Sequence, residues 1–148
     1  MATTRTATTR WHGQYRGGLG DVVFDSSGLG AFPVVAAVQQ EGPPSVTTPM
    51  ELLAAAYSSC VCITAAYELG KLGYLTQELE TSTEVTLDHR EGITGIHVTV
   101  HGDVLDMSQA EFAAIVAAAE VSCPVGRALS SVKVVLDAEL CSVGGSAR

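Results

Sequence analysis

Residues 47–73, TTPMELLAAAYSSCVCITAAYELGKLG, constrain the chain more than any other stretch. They read as one long helix with a cysteine near its middle. Thr48 is placed as the N-cap, and Pro49 fits the first helical position, where a missing N–H costs nothing. Glu51 follows Thr48 by three residues and completes a capping box. Gly70 and Gly73 supply the stop, with Lys71 favourably placed near the C-terminal end of the helix dipole. Between Glu51 and Glu68 no face carries a charge, which predicts a buried helix rather than a surface one. The small residues Ala54, Ala55, Ala56, Ser58, Ser59, Ala65 and Ala66 admit close approach of another backbone. Either the rest of the chain wraps this helix or a second subunit does.

The 148 residues predict a single domain over 1–148 with a substantial core. Hydrophobic residues make up 47% against 16% charged, more apolar surface than one small domain readily hides, and this points to a homodimer. No uninterrupted apolar run reaches the roughly 18–20 residues of a membrane span. Eight basic against sixteen acidic residues give a formal charge of −8, with no basic cluster, so neither nucleic acid nor an anionic membrane is an expected partner. MATTRTATTR lacks the apolar core of a secretory signal, and four cysteines without one suggest a reducing, cytoplasmic setting.

Ahead of the helix, residues 9–15 and 21–25 form a predicted hairpin around the turn RGGLG, and residues 32–40 a third strand; EGPPS is a rigid loop. After the helix the period changes to two. Residues 80–88 alternate, a polar turn DHREG follows, and residues 93–104 return with Ile96, Val98 and Val100 inward and His97, Thr99 and His101 outward. Ser108 and Glu111 make a second capping box, opening an Ala-rich helix over 109–121. Pro124 breaks and restarts the helix, which puts Cys123 at the N-terminus of a short new one. Residues 132–140 form the last strand. The elements predict an α+β fold.

Only a thiolate is a good nucleophile, so the environment of each cysteine decides its chemistry. Cys123 has a feature that favours ionisation, the positive end of a helix dipole, and Arg127 follows four residues later. Cys60, in mid-helix, needs a cation from elsewhere. By itself it reads as a small core residue, as does Cys62; Cys141 lies at a strand end. No cysteine–histidine set has zinc-site spacing, and His97 and His101 fit the solvated face of a strand better than a metal site, so neither a metal nor a cofactor is expected.

Two motifs together carry more. AAAYSSC, ending in Cys60, and SCPVGRAL, containing Cys123, resemble the paired cysteine motifs of the OsmC/Ohr family, the osmotically inducible and organic-hydroperoxide-resistance proteins. The order of elements is also similar, over about residues 9–140. The resemblance implies an OsmC-like α+β fold, antiparallel sheets wrapped around the long central helix in an intertwined homodimer. It implies a Cys-based peroxidase acting on organic hydroperoxides, and less well on hydrogen peroxide. Cys60 would be the attacking cysteine and Cys123 the resolving one, closing a Cys60–Cys123 disulfide that a dithiol reductant, such as a lipoylated protein, reopens.

Family members pair an Arg and a Glu near the attacking thiol. In one branch the Arg lies in the first hairpin, where this chain has Arg16; residues 31–50, where another branch carries it, hold no Arg or Lys. The Glu of Asn-Pro-Glu members falls at Met50, and Glu51 follows it. Glu51 and Cys60 are nine residues apart, about 180° round an ideal helix, and capping accounts for Glu51 equally well. A protein of the same fold that binds a small molecule or serves in a stress response, with little peroxidase activity, is the alternative reading.

Overall fold

The computed structural model describes residues 1–36 and 45–141, and the chain divides within its long helix into two compact units, residues 1–52 and 53–148. In the first unit, β1 (Thr8–His12), β2 (Leu19–Val23) and β3 (Ala31–Val34) form an antiparallel sheet in that order. The expected hairpin is present, with Trp11 opposite Gly20. β3 ends at Val34; residues 37–40 of the predicted third strand and 41–44 of the predicted loop lie outside the described residues. Thr47 pairs with the end of β3, its N–H donating to Pro33 O at 2.9 Å and its carbonyl accepting from Val35 N–H at 2.9 Å.

α1 (Pro49–Lys71) begins at the expected cap. Thr48 Oγ1 accepts the Glu51 N–H at 3.3 Å, but the Glu51 carboxylate takes the Thr47 hydroxyl at 2.6 Å instead of closing the box on Thr48. The other end stops as its glycines predict. Gly73, at φ 83°, takes the left-handed turn that an L side chain resists, and Tyr74 N–H reaches back to Leu69 O.

The second unit adds β4 (Thr76–Asp88), β5 (Gly92–Val104), α2 (Gln109–Ser122), α3 (Pro124–Ala128) and β6 (Val134–Leu140). Its sheet runs β4-β5-β6. β4 and β5 are the predicted antiparallel hairpin, with Val85 opposite Ile96. β6 is parallel to β5, with Leu136 opposite Val98, so this sheet is mixed rather than antiparallel throughout. The reason is topological: two helices intervene between β5 and β6, and such a crossover returns the chain in the same direction. α2 carries the complete capping box of Ser108 and Glu111.

The core of this unit joins one stripe of α1 to the inner faces of β5 and α2. Tyr57, Val61 and Leu69 meet Ile96, Val98, Val100, Phe112 and Val116. The inward alternation on β5 is the expected one. α1 differs from expectation in extent. Only Tyr57, Val61, Ala65 and Leu69, an i, i+4 row, are buried. Ala55, Ala56, Ser59, Ile63, Ala66 and Tyr67 stay exposed, Ile63 to 69% and Tyr67 to 64%. α1 has the length and apolarity of a membrane span, yet its buried row is that of a core helix.

Candidate active site

Cys60 lies one turn after Tyr57 on α1, so the two side chains share a side of the helix. Tyr57 is wholly buried, and Cys60 is half-buried at the edge of the core. The second half of the site comes from the break between α2 and α3. Pro124 cannot continue α2, and the chain restarts with Cys123 serving as C-cap of one helix and N-cap of the next. Its backbone N–H donates to Ala119 O at 2.9 Å, and its Sγ accepts the Gly126 N–H at 3.2 Å.

Tyr57 donates its phenol O–H to a carboxylate oxygen, Oε1 of Glu120, on the last turn of α2. Glu120 stands three residues before Cys123, as Tyr57 does before Cys60. Gly126 shows how tightly these groups are arranged. A Cβ there would sit 3.1 Å from Cys123 Sγ, 3.3 Å from Glu120 Oε1 and 2.4 Å from the Glu120 carbonyl oxygen. The thiol and the carboxylate therefore flank a space that only glycine leaves open.

The electrostatics bind the four groups into one cluster. Burial pushes the Cys123 thiol up to about 11 against the opposing pull of the Gly126 N–H, and the neighbouring Cys60 thiol and Glu120 carboxylate raise it further. The dipole argument anticipates an acidified Cys123; in the fold burial outweighs it, and Cys123 is a neutral thiol at neutral pH. The Tyr57 phenol is also raised, first by burial, then by its bond to Glu120 and the nearby Glu120, Cys123 and Cys60. It stays protonated and remains a donor.

Beside this cluster is an open cavity of about 730 Å³ whose wall includes Glu120, Ser122, Gly126, Arg127, Ser130 and Val132. One anionic and one cationic side chain thus face the same space. All these groups belong to the second unit.

The structure therefore brings Cys60 and Cys123 together. Arg16 is exposed in the turn after β1, and Glu51 is exposed in the first turn of α1 with its carboxylate on Thr47; both belong to the first unit. Cys62 points its thiol at Leu79 O, 3.6 Å away, and Cys141 is exposed at the end of β6. Among the described residues no group of three or more His, Cys, Asp or Glu side chains is arranged to hold a metal ion.

Tyr57 and Glu120 are the two members of the cluster that sequence reasoning passes over. Glu120 did carry a signal. It is the one charged residue in AAIVAAAEVSC, and a carboxylate on an otherwise apolar helix needs a partner.

An arrangement of two adjacent thiols, a phenol and a carboxylate suits two-electron thiol chemistry. Comparison with known proteins agrees with that class. A family profile described as OsmC-like protein matches residues 42–137. The chain is 28% identical to Peroxiredoxin OsmC of Escherichia coli (strain K12) over 145 residues, 96% of this chain and 100% of that protein. The crystal structure of an OsmC-like protein from Mycoplasma pneumoniae superposes with a TM-score of 0.75 at 14% identity, covering 95% of this chain and 99% of the other. The organic hydroperoxide resistance protein OhrB of Bacillus subtilis superposes with a TM-score of 0.63 at 24% identity, covering 90% and 98%. At these identities the two structures establish a shared fold.

Proposed function

The chain belongs to the OsmC-like protein family, and on that premise we propose that it is a thiol peroxidase that reduces organic hydroperoxides to alcohols. The observation that carries this reading is the adjacency of Cys60 and Cys123, thiols from α1 and the α2–α3 break that lie far apart along the chain. A peroxiredoxin is a relative aligned along nearly the whole chain, and an organic hydroperoxide resistance protein is a fold neighbour.

The Cys60 sulfur, as thiolate, attacks the distal oxygen of the hydroperoxide. The O–O bond breaks, the alkoxide leaves and takes a proton to become the alcohol, and Cys60 becomes a sulfenic acid. The Cys123 sulfur then attacks that sulfenic sulfur, water leaves, and a disulfide forms. A dithiol reductant, a lipoylated protein in this reading, returns both thiols. Arg16 takes the helper role of the family, holding Cys60 ionised and orienting the peroxide, and Glu51 that of the carboxylate paired with it. The whole chain, residues 1–148, acts as one domain in the cytoplasm. It does so as a homodimer: the exposed α1 face of Ala55, Ser59, Ile63, Ala66 and Tyr67 is apolar and small-residue-rich, as suits a second copy of the same helix.

Cys60→Ser tests the chemistry. It abolishes turnover of cumene-type hydroperoxide, and wild-type protein given one equivalent of peroxide yields a Cys60–Cys123 bridge by mass spectrometry. Unchanged turnover in the variant sinks the reading. A second reading draws support from Glu51, whose carboxylate is engaged by Thr47: a stress-response or small-molecule-binding protein on the same fold. Under it, peroxide leaves all four thiols countable by an Ellman-type assay.

A further inference from the structure

If Cys123 resolves the sulfenic acid of Cys60, it must lose a proton first, because a neutral thiol is a poor nucleophile. Its surroundings oppose ionisation. Cys123 is fully buried, and the groups facing it are Tyr57 and Cys60 from α1, Glu120 from the end of α2 and the Gly126 N–H from α3. Of these only Glu120 is a base. Arg127, which shares the adjoining cavity with Glu120, is the one cation among the described residues of that cavity's walls.

We propose that the Glu120 carboxylate is the proton acceptor for Cys123 in the disulfide-closing step, and that Tyr57 is the positioning residue that holds the carboxylate there. The proposal rests on the peroxidase reading above. Its geometric basis is threefold. Cys123 Sγ and Glu120 Oε1 lie 3.1 Å and 3.3 Å from the point a Gly126 Cβ would occupy, which makes the thiol and the carboxylate neighbours. The Tyr57 hydroxyl, on a fully buried side chain, fixes the orientation of that carboxylate oxygen. The Gly126 N–H at 3.2 Å from Sγ is in place to receive the negative charge that grows on sulfur.

The step balances without a further reactant. A Glu120 oxygen takes the proton from Cys123 Sγ, and the freed electron pair forms the bond to the Cys60 sulfur. The Cys60 S–O bond breaks, and the departing hydroxide takes the proton back from Glu120, directly or through the Tyr57 hydroxyl. The products are a disulfide and water, with Glu120 again a carboxylate. Cys123 can thus remain a neutral, unreactive thiol until a sulfenic acid stands beside it, which protects it from peroxide and from stray electrophiles.

A rapid-mixing experiment on the reduced full-length protein with one equivalent of cumene hydroperoxide separates the two steps. Cys60 sulfenic acid is followed with a dimedone-type trap, and the bridge by non-reducing peptide mass spectrometry. In Glu120→Gln, where the Tyr57 hydroxyl can still bond to the amide oxygen, sulfenic acid forms at the wild-type rate and accumulates, while closure slows about 10²–10⁴-fold. Closure in that variant then speeds up roughly tenfold per pH unit as Cys123 ionises unaided, whereas wild-type closure is flat across neutral pH. Glu120→Asp restores part of the rate, and Tyr57→Phe slows closure to a lesser degree.

Wild-type closure that itself rises tenfold per pH unit overturns the proposal, as does closure at the wild-type rate in Glu120→Gln, or equal slowing of both steps. Should Glu120→Gln fail to fold, the wild-type pH profile and Tyr57→Phe decide the matter on the same criteria. Absence of any Cys60 sulfenic acid in wild-type protein rejects the peroxidase reading itself, a separate result from normal sulfenic acid with Glu120-independent closure.

Discussion

Replacing Gly126 with alanine sets two effects of opposite sign against each other. By helix propensity alone, alanine within α3 should stabilise, by up to about 1 kcal/mol. The tertiary environment says otherwise. The new methyl would lie 2.4 Å from the backbone carbonyl oxygen of Glu120 and 3.1 Å from Cys123 Sγ. A backbone atom at the end of α2 cannot rotate away as a side-chain tip can, so α3 must move as a unit. Overpacking of this kind costs about 1–3 kcal/mol. The movement also loosens the Gly126 N–H to Cys123 Sγ bond, 3.2 Å long, worth about 1 kcal/mol. The steric and hydrogen-bond losses exceed the propensity gain, for a net destabilisation of about 1–3 kcal/mol. For a chain of this size that is a fall in Tm of about 2–12 °C. Gly70→Ala on α1 is the control, because a Cβ there meets nothing within 4 Å in the same subunit. It should be neutral or raise Tm by about 1–4 °C. Thermal melts of the two variants followed by circular dichroism read both numbers. A Gly126→Ala melting point at or above wild type would refute the packing argument and, with it, the closeness of Glu120 and Cys123.

The remaining expectations concern stability against pH. Ser108→Ala removes the α2 cap, at about 1 kcal/mol near neutrality. Hydrogen bonds from the Ser108 hydroxyl and N–H, then from Tyr74, hold the Glu111 carboxyl below its ordinary value. Its contribution is therefore present above the ordinary carboxylate range and disappears as pH falls through the depressed value, so the difference in urea midpoint between variant and wild type narrows in acid to the part owed to the Ser108 hydroxyl on the Glu111 N–H. His97 behaves in the opposite sense. Its bond to Asp137, aided by Glu84, raises its pKa, so its contribution is full below the ordinary histidine value and is lost as pH rises through the elevated one. Asp137→Asn should lower the urea midpoint in mildly acidic buffer and match wild type in alkaline buffer; a pH-independent difference would contradict this.

The sequence by itself determined the elements whose cause is local. Thr48 and Pro49 start α1, Ser108 and Glu111 start α2, Pro124 splits α2 from α3, and alternation on β5 selects Ile96, Val98 and Val100 for the core. Each is a matter of backbone stereochemistry or period, and neighbours in sequence suffice to impose it. The two cysteine motifs were legible in the same way, together with the family they resemble. Tertiary structure alone decided what depends on distance through space. The parallel placement of β6, the narrow buried row of α1, the neutral rather than acidified Cys123 and the Tyr57–Glu120 bond all follow from which surfaces exclude water. Desolvation is a property of the packed surroundings, and for Cys123 it outweighs the helix-terminal N–H that the sequence makes visible.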